Sequence, residues 1–227
     1  MRQKLILAFA VVAAALLAWN FYKVFMIEPD EANQGAIYRI IYIHVPSAFT
    51  CATGFFVSLL ASVAFLVRKD LKYDAIAASV TEVAWVFATI VLVTGSIWGR
   101  IIWGIWWAWD PRLTSMLICW LLLVSYLLLR RAVEEPNQRA RLSAVLAIFT
   151  FTDWIIVWKS IEWWRTQHPG PVLSIRSGGG MAPGMESPIY WNWLALALLA
   201  STLVMLRWRQ EGVKREIDAL RRYAHAL

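Results

Sequence analysis

Apolar residues come in long, nearly unbroken runs along this chain, with polar residues gathered in short clusters between them. Runs at roughly 5–26, 46–67, 75–98, 113–129, 142–158 and 189–206 approach the length, about 20 residues, that a helix needs to cross about 30 Å of hydrocarbon. The fifth is short unless its helix continues towards Trp164. The pattern predicts an all-α membrane protein of six transmembrane helices. The first run follows Arg2 and Lys4 and continues through Trp19, Phe21 and Phe25 to Ile27, beyond the apolar core of a signal peptide, so it reads as an uncleaved span. Asp110-Pro111 and Ser187-Pro188 each pair a favoured N-cap with a favoured first helical residue, and should start the fourth and sixth spans.

The spans divide the chain into a single six-span domain, residues 1–211, and a basic amphipathic tail, residues 212–227 (GVKREIDALRRYAHAL). The tail suits a membrane surface, with contact to a partner subunit as the other reading. The loops at one face cover 27–45, 99–112 and 159–188. The last of these is the longest polar segment, too short for a separate catalytic domain.

Charge sets the expected orientation. Of 22 Lys and Arg, fifteen fall at the face that holds both termini and the even loops, among them Arg68, Lys69, Lys72, Arg130, Arg131, Arg139 and Arg141. The opposite face holds seven: Lys23, Arg39, Arg100, Arg112, Lys159, Arg165 and Arg176. Basic loops stay on the cytoplasmic side, so both termini are expected to be cytoplasmic. The formal net charge of +7 is therefore no sign of nucleic-acid binding, because the cations lie between apolar runs and beside lipid headgroups. With 60% hydrophobic and 16% charged residues, against about 45–50% and about 25% in soluble domains, the composition excludes a soluble enzyme or a disordered tail. Two cysteines exclude a disulfide scaffold.

Fifteen tryptophans change the picture further, because twelve of them fall at or near the outer face. An aromatic belt would place them at both interfaces. The densest part, Trp98–Ser115 (WGRIIWGIWWAWDPRLTS), holds Trp98, Trp103, Trp106, Trp107 and Trp109 within twelve residues. If its middle is helical, Arg100, Trp103 and Trp107 share a face. Such an aromatic plate suits a large, flat, conjugated ligand, which gains both burial and stacking.

Two of the three histidines lie on the same side: His44, just before Pro46, and His168, just after Trp163 and Trp164. Imidazole is a standard axial ligand of haem iron, and Arg39, Arg100, Arg112 and Arg165 could bind propionates through their planar forks. A plain surface role is the competing reading for each. No C-x-x-C-H is present, so covalent attachment of a c-type haem to this chain is not expected. Ser177-Gly178-Gly179-Gly180 lacks the Lys-Ser/Thr of a phosphate loop and reads as a flexible lid. Glu82 and Asp153, ionisable residues within spans, have no partner visible in the sequence.

The segment WGRIIWGIWWAWDPRLTS closely resembles the tryptophan-rich WWD signature of haem-handling membrane proteins such as CcmC, CcmF and CcsA of the cytochrome c maturation systems. Chain length and six spans fit the CcmC family. Asn33-Gln34-Gly35, Tyr38-Arg39-Ile40 and His44-Val45-Pro46 are similar to that family's approach to its first histidine. Ser160-Ile161-Glu162-Trp163-Trp164 and Thr166-Gln167-His168 are similar to the segment carrying its second. The resemblance implies a haem b site at the periplasmic face of a bacterial inner membrane, with His44 and His168 as axial ligands. Trp98, Trp103, Trp106, Trp107, Trp109, Asp110, Trp163 and Trp164 would surround the macrocycle. It also implies work with the subunits CcmA, CcmB and CcmD and loading of the haem chaperone CcmE, a transfer role rather than a hydrolytic one. The rival from the residues themselves is a permease subunit of an ABC-type exporter of haem or another solute.

Overall fold

Six long helices form where the apolar runs predict them, and each is long and apolar enough to cross a membrane. They are α1 (Arg2–Tyr22), α2 (Ile41–Arg68), α3 (Leu71–Ile102), α4 (Pro111–Ala132), α5 (Pro136–Trp163) and α6 (Ser187–His225). The computed structural model describes residues 2–170, 181 and 185–225. The glycine-rich stretch 177–180 and Arg176 lie outside the described residues. Among those described, no strand forms, as expected for the all-α class.

Several boundaries differ from the expectation, each for a local reason. Alpha2 begins at Ile41, preceded by a 3-10 turn over Ala36–Ile40, so much of the expected loop 27–45 is helical and His44 sits inside the helix. The Pro46 ring denies the Tyr42 carbonyl its usual i+4 donor. Asn192 of α6, itself buried, donates Nδ2–H to that carbonyl at 2.9 Å, and the helix runs on through the proline. Alpha5 extends beyond the apolar run at both ends: Glu135 caps its start through the Asn137 N–H at 2.8 Å with Pro136 in the first position, and its last turn reaches Trp163. The tail does not form a separate element: α6 passes through residue 212 unbroken and ends at His225.

Alpha2 lies at the centre, packed against α3, α5 and α6, with α1 laid on α6 and α4 on α5. The seam between α2 and α3 is the tightest. A methyl group at Gly54 would come 2.8 Å from Ala84 Cβ, so only glycine permits this approach. Ser58 and Thr81 share a hydrogen bond of 2.7 Å one turn further along. The core formed around this seam contains Cys51, Phe55, Val83, Phe87, Cys119, Leu123 and Val157.

At the end of the bundle where the α2–α3 and α4–α5 turns lie, Asp74 is 3% exposed and takes two cations. Arg130 of α4 reaches its carboxylate at 2.5 and 3.1 Å, and Arg215 of α6 at 3.0 Å. Glu211 joins Arg130 at 3.3 Å. Glu82, without a partner in the sequence reading, pairs with Arg207 at 2.5 Å. Removing one side of a buried ion pair strands the other charge and costs about 3–5 kcal/mol. Asp74→Ala should therefore lower the unfolding free energy of the purified protein in detergent by that order, and its denaturation midpoint with it. Arg215→Ala, at a more exposed side chain, should cost less, and equal midpoints for Asp74→Ala and wild type would refute the network's importance.

Candidate functional site

At the opposite end, the spans part around a chamber of about 320 Å³, at the lower end of the range usual for ligand pockets. Cys51, Phe55, Met116 and Val157 make its apolar floor, and His44, Trp98, Trp103, Trp107, Arg112 and His168 stand around it nearer the loops.

The tryptophan-rich segment is not helical as far as Trp107. Alpha3 stops at Ile102, and Gly104 turns the chain at φ +75°, a region glycine enters without strain. Trp103 folds back over Gly99, where a Cβ would lie 3.1 Å from its ring, and Trp107 returns to the wall from the loop. Both indoles therefore face the chamber, through a turn rather than a shared helical face. Trp107 Nε1 is buried and has no acceptor among the described residues, leaving a donor available at the wall. Trp98 donates Nε1–H to Gln34 at 2.8 Å and meets the His44 ring edge-on, with centroids 6.0 Å apart.

His44 reaches the chamber from α2, with Nδ1 2.9 Å from Thr94 Oγ1 on α3. His168 comes from the segment after α5, held down by Asp110. One carboxylate oxygen of Asp110 caps α4 by accepting the Leu113 N–H at 2.8 Å. The other accepts from Thr166 Oγ1 at 2.7 Å and from the Gln167 N–H at 3.2 Å. Thr166 in turn accepts the His168 N–H at 3.1 Å. The expected cap role of Asp110 is present, and the same side chain clamps the histidine segment to the start of α4.

Arg112 alone among the expected arginines lines the chamber; its contact is a 3.4 Å bond to the Val157 carbonyl. Arg39 is spent elsewhere, donating to the Val24 and Glu28 carbonyls at 2.9 Å and pairing with Asp30 at 2.8 Å. Arg100 bonds the Gly104 carbonyl, and Arg165 is exposed off the chamber wall. Trp163 and Trp164 form an exposed edge-to-face pair, with centroids 5.7 Å apart. Trp106 and Trp109, 62% and 78% exposed, border a shallow apolar groove on the outside of α3 that shares Trp107 with the chamber. Trp154 and Trp158 of α5, Gln34 and Gly95 line the chamber without having been singled out as site residues. Trp154 and Trp158 carried a readable signal, since their i, i+4 spacing puts them on one face. Asp153 keeps one buried carboxylate oxygen without a partner among the described residues.

Fold and site together define a multi-pass membrane protein with an aromatic chamber carrying two histidines and one arginine at one end of the bundle. A profile of the CcmC family, described as "Heme exporter protein C", matches residues 1–223, and the chain belongs to that family. It is 34% identical to heme exporter protein C of Paracoccus denitrificans over 205 residues, 90% of this chain and 83% of that protein. It is 35% identical to the Escherichia coli K12 protein of the same name over 204 residues, covering 89% and 81%.

Two predictions arise from this geometry. Burial and the Arg112 guanidinium push His168 down to about 4, against the upward pull of the Pro169 carbonyl and Asp110. The unfolded chain, near the ordinary value of about 6.5, then takes up this proton first. The contribution to stability is full above about pH 6.5 and is lost as pH falls through about 4. An NMR titration of ring-labelled protein should find His168 neutral at about pH 5.5, and an apparent value near the ordinary one would overturn the burial argument. Gly95 leaves room for His44, since a Cβ there would lie 3.2 Å from its Cε1. Gly95→Ala should raise helix propensity by up to about 1 kcal/mol yet displace the ring, so thermal stability and ligand binding should move in opposite directions.

Proposed function

We propose that the chamber binds haem b and presents it for loading onto the haem chaperone CcmE during c-type cytochrome maturation. The carrying observation is that His44 and His168, 124 positions apart in the chain, stand on the wall of one apolar chamber with Arg112 beside them. Imidazole ligates haem iron, the indoles of Trp98, Trp103 and Trp107 offer surfaces for a conjugated ring, and Arg112 suits a propionate. Trp107 Nε1, without an acceptor among the described residues, offers a further donor. When bound, the haem supplies a vinyl group for covalent attachment to the chaperone. The chain's own residues hold it, orient it and keep its faces from water. The name heme exporter protein C, borne by the relatives, supports the haem reading.

The excess of Lys and Arg at the other end supports an orientation with that end and both termini in the cytoplasm and the chamber at the periplasmic face of the inner membrane. CcmA, CcmB and CcmD are the further partners of this reading. A permease reading would need a polar path through the spans. Glu82 and Asp74 instead bind Arg207, Arg130 and Arg215, and these three ion pairs lie towards the end away from the chamber.

The protein purified in detergent should bind haem with a histidine-ligated absorption spectrum. His44→Ala and His168→Ala should each change that spectrum and weaken binding at least tenfold, with transfer to the chaperone reduced in step. Unchanged spectra and transfer in both variants would sink the ligand assignment.

A further inference from the structure

His44 and Thr94 meet across the α2–α3 seam, and the direction of their hydrogen bond can be worked out from what else Thr94 touches. Its Oγ1 lies 2.6 Å from the Ile90 carbonyl and 3.3 Å from the Val91 carbonyl, one turn back along its own helix. A carbonyl oxygen only accepts, and a hydroxyl has a single proton to give. That proton goes to the carbonyls of α3, so Thr94 offers His44 only lone pairs. The imidazole nitrogen at 2.9 Å from Oγ1 is Nδ1, and it must be the one that carries the hydrogen. A neutral imidazole has one N–H, so Nε2 is left with its lone pair.

We infer that Thr94 is a positioning residue for iron binding: by accepting from Nδ1–H it fixes His44 in the tautomer that keeps Nε2 free as the iron ligand. The inference rests on the haem reading above for its purpose, though not for its geometry. His168 reaches the same state by another route. Its Nδ1 lies 2.8 Å from the Pro169 carbonyl, which can only accept, so again Nδ1 is the protonated nitrogen. His44 is thus held by the Thr94 hydroxyl on the neighbouring span, with the Val91 carbonyl of the same turn as a second acceptor, and His168 by a backbone carbonyl in its own loop. A hydrogen-bonded Nδ1–H also makes an imidazole a stronger donor and limits its rotation. Gly95, next to Thr94, completes the seat by leaving space beside the ring.

The test compares wild type, Thr94→Val and Thr94→Ser. Valine keeps the shape of threonine without the hydroxyl, and serine keeps the hydroxyl. Nitrogen NMR of the haem-free, ¹⁵N-histidine-labelled protein at neutral pH should show Nδ1–H at His44 in wild type and Thr94→Ser. In Thr94→Val, where the Val91 carbonyl is the acceptor that remains, that preference should weaken measurably, while His168 stays unchanged in all three and reports an intact fold. On titration with haem, Thr94→Val should bind about 10–100-fold more weakly. Its midpoint potential should rise, because a weaker donor favours ferric iron less, and Thr94→Ser should remain close to wild type. Retention of Nδ1–H, wild-type affinity and wild-type potential in Thr94→Val would overturn the inference, as would Nε2–H in the wild-type apoprotein. Failure of the wild type to bind haem would sink the functional reading instead, and the nitrogen spectra would still decide what Thr94 does.

Discussion

Helices α2 and α3 approach so closely that a single added carbon at Gly54 would collide with Ala84. In hydrocarbon no water is available to drive apolar faces together, so small residues and interhelical hydrogen bonds carry the association. The contacts along this seam form an antiparallel series: Ser58 meets Thr81, Gly54 meets Ala84, and His44 meets Thr94 and Gly95. The spacing set by Gly54 deep in the membrane therefore decides whether His44 can reach its acceptor near the end of the bundle. The chamber is a consequence of that seam, because the other walls are hung around it.

The chamber's electrostatics are simple. Its wall, among the described residues, has one charged side chain, Arg112, and burial beside that cation keeps His168 neutral. A ligand with negative groups at its edge and a metal at its centre would meet a cation at one place and imidazole nitrogens at others. The carboxylate nearby, Asp110, is fully engaged in holding the segment that carries His168. Its charge shapes the segment that carries His168, and the residue is not part of the chamber wall.

The six spans were legible because a hydrocarbon environment imposes a length and a polarity on every one of them. The cap at Asp110 was legible for a similar local reason, whereas the length of α5 was left open by its short apolar run. The conformation of Gly104 was not, since glycine permits a turn without requiring one, and the helical reading of Arg100, Trp103 and Trp107 failed there. Which arginine lines the chamber was equally hidden: Arg39 and Arg112 look alike in a sequence, and only the carbonyls of Val24 and Glu28 show that the first is occupied. Thr94 escaped notice because a threonine in an apolar run usually bonds its own helix backbone. It does so here as well, and the second bond across the seam depends on packing.

Alpha6 carries Asn192 at one end and Arg215 near the other on a single unbroken helix, separated by about 35 Å at 1.5 Å per residue. Asn192 closes the gap left by Pro46, and Arg215 closes on Asp74. A slip of this rod by one helical turn would break both attachments together. The bundle therefore has one register for α6, fixed like a beam on two supports. The turn of α2 that bears His44 is held at a set depth by an anchor on the far side of the membrane.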